Sequence, residues 1–150
     1  MSSSSSSSSP KVRKGSCLCQ AIKYEVTGEP ITFRICHCGN CKKASGSSFM
    51  SNLFFTGKQI RILTGEDKMK FYPDRNTSSG HALNRHFCTE CGSNVFLTPT
   101  SPQAIAKDVK IVTTGTLDDP FSTPVKAELF PEQKADWVVG IHVQPSKPKL

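Results

Sequence analysis

The sequence predicts a mainly β domain whose antiparallel strands gather around clustered cysteines. Apolar side chains fall on alternate positions in a series of short runs, the period of a half-buried strand. Turn signals rich in Gly, Pro, Asn and Asp separate these runs, and no stretch sustains a 3.6-residue period. All seven cysteines lie in three tight groups, spaced C-x-C, C-x-C-x2-C and C-x2-C.

Taken in order, the alternation of Leu18, Gln20, Ile22, Tyr24 and Val26 predicts a first strand, with Cys17 and Cys19 on its other face. Gly28 and Pro30 end it. Ile31, Phe33 and Ile35 alternate into the second cysteine group, where Cys36 and Cys38 share a face and a Gly39-Asn40 turn folds Cys41 back toward them. Lys42 to Ser48 reads as a loop. Phe49, Leu53 and Phe55 begin another strand that stops at Thr56-Gly57, and short strands follow over residues 60–63, 69–72, 81–87, 95–97 and 111–114.

A chain of 150 residues is one domain by length. At 36% hydrophobic and 8% aromatic it has a modest core, which suits a loop-rich fold stabilised in part by metal. Residues 1–14 read as a disordered, Ser-rich basic tail, 15–144 as the domain, and 145–150 as a Lys/Pro tail. No apolar run approaches the length of a membrane span, so no membrane partner is expected. The formal charge of +7 is concentrated at the ends, because Lys11, Arg13, Lys14, Lys147 and Lys149 lie in the tails and all twelve acidic residues lie between them. The body is therefore close to neutral, which argues against a dedicated nucleic-acid surface. The serine run lacks the apolar core of a signal peptide, which predicts a cytoplasmic location, where thiols persist and metal sites outnumber disulfides.

Seven cysteines divide into four and three, matching a closed structural zinc site and a second zinc with one open coordination position. Two residues along a strand advance about 6.6 Å, and leaning side chains can close this to the roughly 3.8 Å sulfur separation of a tetrahedron with 2.3 Å bonds. Cys88-x2-Cys91-Gly92 is the strongest half-site, because the glycine permits a tight turn whose N–H groups point at sulfur. A thiolate-only set also accepts iron, but zinc is the expected metal. Spacing leaves two partitions open. Cys38 and Cys41 can join Cys88 and Cys91 as a zinc ribbon, or Cys17 and Cys19 can join Cys88 and Cys91 and leave Cys36, Cys38 and Cys41 together. The second keeps each compact cluster whole.

The runs GSCLCQAIKYEV, CHCGNCKKASGSSF, RHFCTECGS and TGTLDDP, followed by Trp137, resemble the family of glutathione-dependent formaldehyde-activating enzymes and centromere-protein-V-like domains. The resemblance covers residues from about Gly15 to Trp137. It implies an Mss4-like fold of antiparallel β-sheets around two zinc sites. By motif, Cys17, Cys19, Cys88 and Cys91 are then the structural set, and Cys36, Cys38 and Cys41 the catalytic-type set. One departure is visible: Gln20 stands where the family commonly has glycine after the C-x-C pair.

The resemblance implies a carbon–sulfur lyase that joins glutathione and formaldehyde, with a small thiol and a small electrophile as partners. The chemistry of a three-thiolate zinc agrees, since strong donation by sulfur blunts its acidity toward water and favours holding a thiol. The alternatives are a non-catalytic, zinc-stabilised protein-binding module and an enzyme of the same fold acting on another small electrophile. No catalytic residue beyond the metal set is assigned from sequence. His37, between two cysteines, reads as a packing or exposed residue rather than a fourth ligand. His86 reads as a satisfied structural histidine, with an acid–base group as the alternative. His81 reads as a residue of the loop-to-strand segment SSGHALN rather than one lining the site, and Trp137 as a core or interface aromatic. Arg85 is a surface salt-bridge residue or, with Lys42 and Lys43, a partner for a glutathione carboxylate. Asp118 and Asp119 are expected to cap a strand end.

Overall fold

The computed structural model describes residues 9–145. Two sheets stack around one main core. The smaller has three antiparallel strands in the order β1-β2-β5: β1 (Val12–Ser16), β2 (Lys23–Thr27) and β5 (Ile60–Thr64). The larger has seven strands in the order β10-β3-β4-β9-β8-β7-β6. These are β3 (Thr32–Cys36), β4 (Met50–Thr56), β6 (Met69–Asp74), β7 (Leu83–Cys88), β8 (Asn94–Pro99), β9 (Val109–Thr113) and β10 (Ala127–Leu129). All pairings in it are antiparallel except β10 against β3.

Side-chain alternation gives the large sheet two different faces. Phe33, Leu53, Val112 and Phe96 sit in register across β3, β4, β9 and β8 and face the small sheet. They form the core with Ile22, Tyr24 and Val26, and Tyr24 meets Phe96 edge-on at a ring distance of 4.8 Å. On the other face Phe54, Ile111, Leu97 and Arg85 form a second row across β4, β9, β8 and β7. This row, with Cys36, Asn52 and Leu83 beside it, is where the cavity described below lies.

Several local expectations are corrected. Cys17 and Cys19 are not on a strand. They lie in the turn between β1 and β2, where Gln20 adopts a left-handed φ of 62° and its N–H bonds to the Cys17 carbonyl at 2.9 Å. The turn leaves Leu18 84% exposed instead of packed with Ile22. It also aims the Ile22 N–H at Cys17 Sγ (3.3 Å), which a strand would commit to its ladder. The expected loop from Lys42 is instead the end of helix α1 (Gly39–Ser45), capped at its start by Cys38 and closed by Gly46 in the left-handed conformation. Seven residues are too few to display a helical period. A second short helix, α2 (Pro102–Ala106), starts at Ser101, whose hydroxyl accepts from the Ala104 N–H at 3.3 Å.

The folded region begins within the segment read as a tail. β1 starts at Val12, and Arg13 is buried, with its guanidinium 2.9 Å from the Gly28 carbonyl and 2.7 Å from Glu29. The serine run 1–8 and residues 146–150 lie outside the described residues. Asp118 and Asp119 hold β1 in place, accepting from the Ser16 hydroxyl (3.0 Å) and the Lys14 N–H (2.6 Å). Trp137 is 73% exposed, not a core residue. Among the described residues, no helix is long and apolar enough to cross a membrane.

Candidate functional site

The turn after β1 and the end of β7 bring Cys17, Cys19, Cys88 and Cys91 together, with all sulfurs within 4.8 Å of one another. Cys17 and Cys19 are 3.6 Å apart and Cys19 and Cys88 3.8 Å. A four-thiolate tetrahedral site requires about this separation. Gly92, at φ 73°, closes the second turn and donates its N–H to the Cys88 carbonyl at 2.8 Å. Ser93 ties the two turns, with its hydroxyl 3.2 Å from Cys91 Sγ and accepting from the Leu18 N–H at 3.0 Å. That hydroxyl, with backbone N–H groups, lowers the Cys91 thiol to about 5. All seven cysteines are free thiols.

Cys36, at the end of β3, and Cys38 and Cys41, at the start of α1, form the second group, again with sulfurs within 4.8 Å. The Cys41 N–H points at Cys38 Sγ (3.4 Å), as expected of a residue that caps the helix through sulfur. The neighbouring Cys41 thiol holds the Cys36 thiol below its ordinary value, while the proximity of Cys36, with burial, pushes Cys41 up. Both groups offer only sulfur at tetrahedral spacing, without disulfides, so the residues present fit a soft or borderline metal such as zinc.

The three-cysteine group opens onto a cavity of about 330 Å³. Its floor is the row from Phe54 to Arg85, and its rim is built from α1, residues 76–78 and the segment after β10. Arg85 is not a surface residue. It is buried against Asp74 at 2.9 Å, with side chains 7% and 8% exposed, and its guanidinium nitrogens lie 3.9 Å from Cys41 Sγ. Burial works against its charge, but the Asp74 bond and the Cys41 sulfur outweigh it and raise its pKa. Asp74 also accepts twice from the Asn40 amide, at 3.0 and 2.9 Å, and so locks α1 to the edge of the sheet.

His37 is fully buried and turned away from the cysteines, with Nε2 2.9 Å from Glu128. The same carboxylate oxygen accepts from Lys134 at 2.8 Å, and His37 N–H bonds to the Leu129 carbonyl at 3.0 Å. His37 therefore anchors β10 beside the site. His86 bonds Thr98 and packs on Phe71, and burial, then Lys110, lowers its pKa. Neither His86 nor His81 lines this cavity. Lys42 is committed to the Gln133 carbonyl (2.9 Å), while Lys43 lines an adjoining cleft. The sequence reading missed Asp74 and Asn52, which carry no motif and which only the strand order brings to the cysteines, and it read Asn40 only as a turn residue.

Fold and site together define a mainly β protein with two cysteine clusters able to hold metal, one beside a cavity. A sequence profile described as "Glutathione-dependent formaldehyde-activating enzyme" matches residues 12–133, and the chain belongs to that family. The match starts at the first residue of β1. In fold, the chain is similar to a crystal structure of a Rhodobacter sphaeroides protein, with a TM-score of 0.56 at 18% identity over 77% of this chain and 98% of that one.

Proposed function

We propose that the protein is a zinc-dependent carbon–sulfur lyase of the glutathione-dependent formaldehyde-activating type, working on a small aldehyde–thiol adduct. The observation that carries this reading is the asymmetry between the clusters. Four sulfur donors complete a tetrahedron, three leave one position open, and it is the group of three that lines the cavity. In this reading Cys17, Cys19, Cys88 and Cys91 hold a structural zinc in an Mss4-like framework, and Cys36, Cys38 and Cys41 hold a catalytic-type zinc. A zinc ion there would lower the pKa of a thiol offered to its fourth position and supply a nucleophile near neutral pH.

The chain's own residues do the rest. Phe54, Ile111 and Leu97 in the floor offer water no hydrogen-bond partner, which would weaken its competition for the aldehyde. Arg85, fixed by Asp74, places a positive charge beside Cys41 and favours the thiolate form of the cluster. In the synthetic direction the thiol S–H adds across the carbonyl. A carbon–sulfur bond forms and the thiol proton passes to the carbonyl oxygen, and the lyase direction reverses both. The cytoplasm, as a reducing compartment, keeps such thiols available.

Elemental analysis of the purified protein is expected to give two zinc per chain, and a value near one, or mainly iron, refutes the partition. Calorimetry with glutathione in buffers of different ionisation enthalpy should report a released proton. S-methylglutathione, which has no ionisable sulfur, should bind much more weakly. Equal affinity for the two rejects thiol binding at the cluster. The exposed Trp137 and Val139, 73% and 81% accessible, favour a second reading as a protein-binding module, to which failure of every thiol, small ones included, would point.

A further inference from the structure

The lining of the cavity is unlike a site for a charged tripeptide. Phe54, Leu83, Leu97, Ile111, Leu129 and Phe130 supply the apolar part of its wall, the polar part is uncharged apart from Arg85, and a volume of about 330 Å³ is at the small end for a ligand site. Arg85 is the one cationic side chain among its lining residues, and its charge is already matched by Asp74 at 2.9 Å. The adjoining cleft adds Lys43, but it shares the same Asp74. The one further cation beside this wall is Arg34, which lies over the Phe54 ring at 5.3 Å outside the lining. Glutathione carries two carboxylates and an ammonium at neutral pH, so at least two of the three charges would have to shed water here without a free counter-charge.

Asn52 differs from the other polar residues at this wall. Asn40 is committed to Asp74 and to the Asn76 carbonyl, and Gln133 Oε1 accepts from the Gly39 N–H. Asn52 is 4% exposed, and its Oδ1 is buried with no hydrogen-bond partner. It projects from β4 on the same face as Phe54, toward the cavity. A buried amide oxygen without a partner is costly, and a ligand that supplies a donor removes that cost. Addition of a thiol to an aldehyde creates a hydroxyl one carbon from sulfur. A hydroxyl can both donate and accept, so it suits the amide in either orientation.

We propose, on the thiol-adduct reading above, that this cavity selects small uncharged thiol adducts over a tripeptide thiol, with Asn52 as the specificity-determining residue that accepts from the adduct hydroxyl.

The test is calorimetric titration of the zinc-loaded protein with 2-mercaptoethanol, 1-propanethiol and glutathione, the first two having equal numbers of heavy atoms. The wild-type chain should bind 2-mercaptoethanol about tenfold more tightly than either competitor. Asn52→Leu should bring 2-mercaptoethanol and 1-propanethiol to within about twofold of each other, with zinc content unchanged and a thermal midpoint no lower than wild type. Asn52→Ala, which only deletes the amide, should lose the same discrimination and guards against misfolding of the leucine variant. Glutathione binding more tightly than 2-mercaptoethanol overturns the proposal. An unchanged ratio in both variants overturns the role of Asn52 alone. Failure of all three thiols to bind overturns the thiol reading of the site and the proposal with it.

Discussion

Arg85→Met tests how the cavity edge is held together. The substitution keeps most of the side-chain volume but removes the cation from a pair whose side chains are 7% and 8% exposed. Asp74 then retains only the two bonds from Asn40. Removing one partner of a buried ion pair costs about 3–5 kcal/mol, and the surviving Asn40 bonds place this case near 3. With a urea m-value of about 2 kcal/mol/M, the midpoint of unfolding should fall by about 1.5 M. Asp74→Asn should cost less, about 1–2 kcal/mol, because the asparagine amide oxygen can still accept from Arg85 and the Cys41 sulfur stays 3.9 Å from its guanidinium. Replacing both residues by apolar ones should recover much of the loss, since the pair pays a desolvation penalty. Urea titrations followed by circular dichroism measure all three. A midpoint for Arg85→Met within about 0.3 M of wild type, or a larger loss for Asp74→Asn, would refute the picture of a buried pair leaning on the cysteine cluster.

Three further outcomes are expected. Cys88→Ala should abolish folding or expression, because Cys88 is fully buried in the main core and a structural thiolate zinc contributes on the order of 10 kcal/mol; Cys38→Ala, at the half-buried cavity edge, should fold and lose the second metal and activity, and the reverse pattern in expression and metal assays would exchange the roles. Gln20→Gly should raise stability by about 1 kcal/mol, read as a denaturation midpoint, because glycine adopts the left-handed φ of 62° at no steric cost. Burial, aided by the Asp118 charge and opposed by the Thr116 bond, pushes the Tyr24 phenol well above its usual value. The folded state therefore keeps a proton that the unfolded chain loses, so stability is full below about pH 10 and declines as pH rises beyond it. Tyr24→Phe should flatten that alkaline decline, and an unchanged slope in urea midpoints above pH 10 contradicts the assignment.

The departure at Gln20 shows what a local pattern can miss. The alternation from Leu18 to Val26 matches a strand, but the chain turns at Gln20 because clustered cysteines need N–H groups pointing at sulfur, and a ladder would consume them. Helix α1 and the three-residue β10 are too short to leave a period, and the Arg13 in β1 resembles the basic tail that precedes it until Glu29 is brought beside it. The mainly β character and the strands bearing Phe33, Leu53, Tyr24 and Val112 were determined by sequence alone, because alternation is a property of each strand in isolation. So were the three cysteine groups, since ligand spacing is local. Only the tertiary structure decided that β7, β8, β9 and β4 lie side by side. That order puts Arg85, Leu97, Ile111 and Phe54 in one row and Asn52 beside it, turning residues remote in sequence into the wall of one cavity. Strand order is set by the burial of whole faces against one another, a sum over the entire chain that no local window contains.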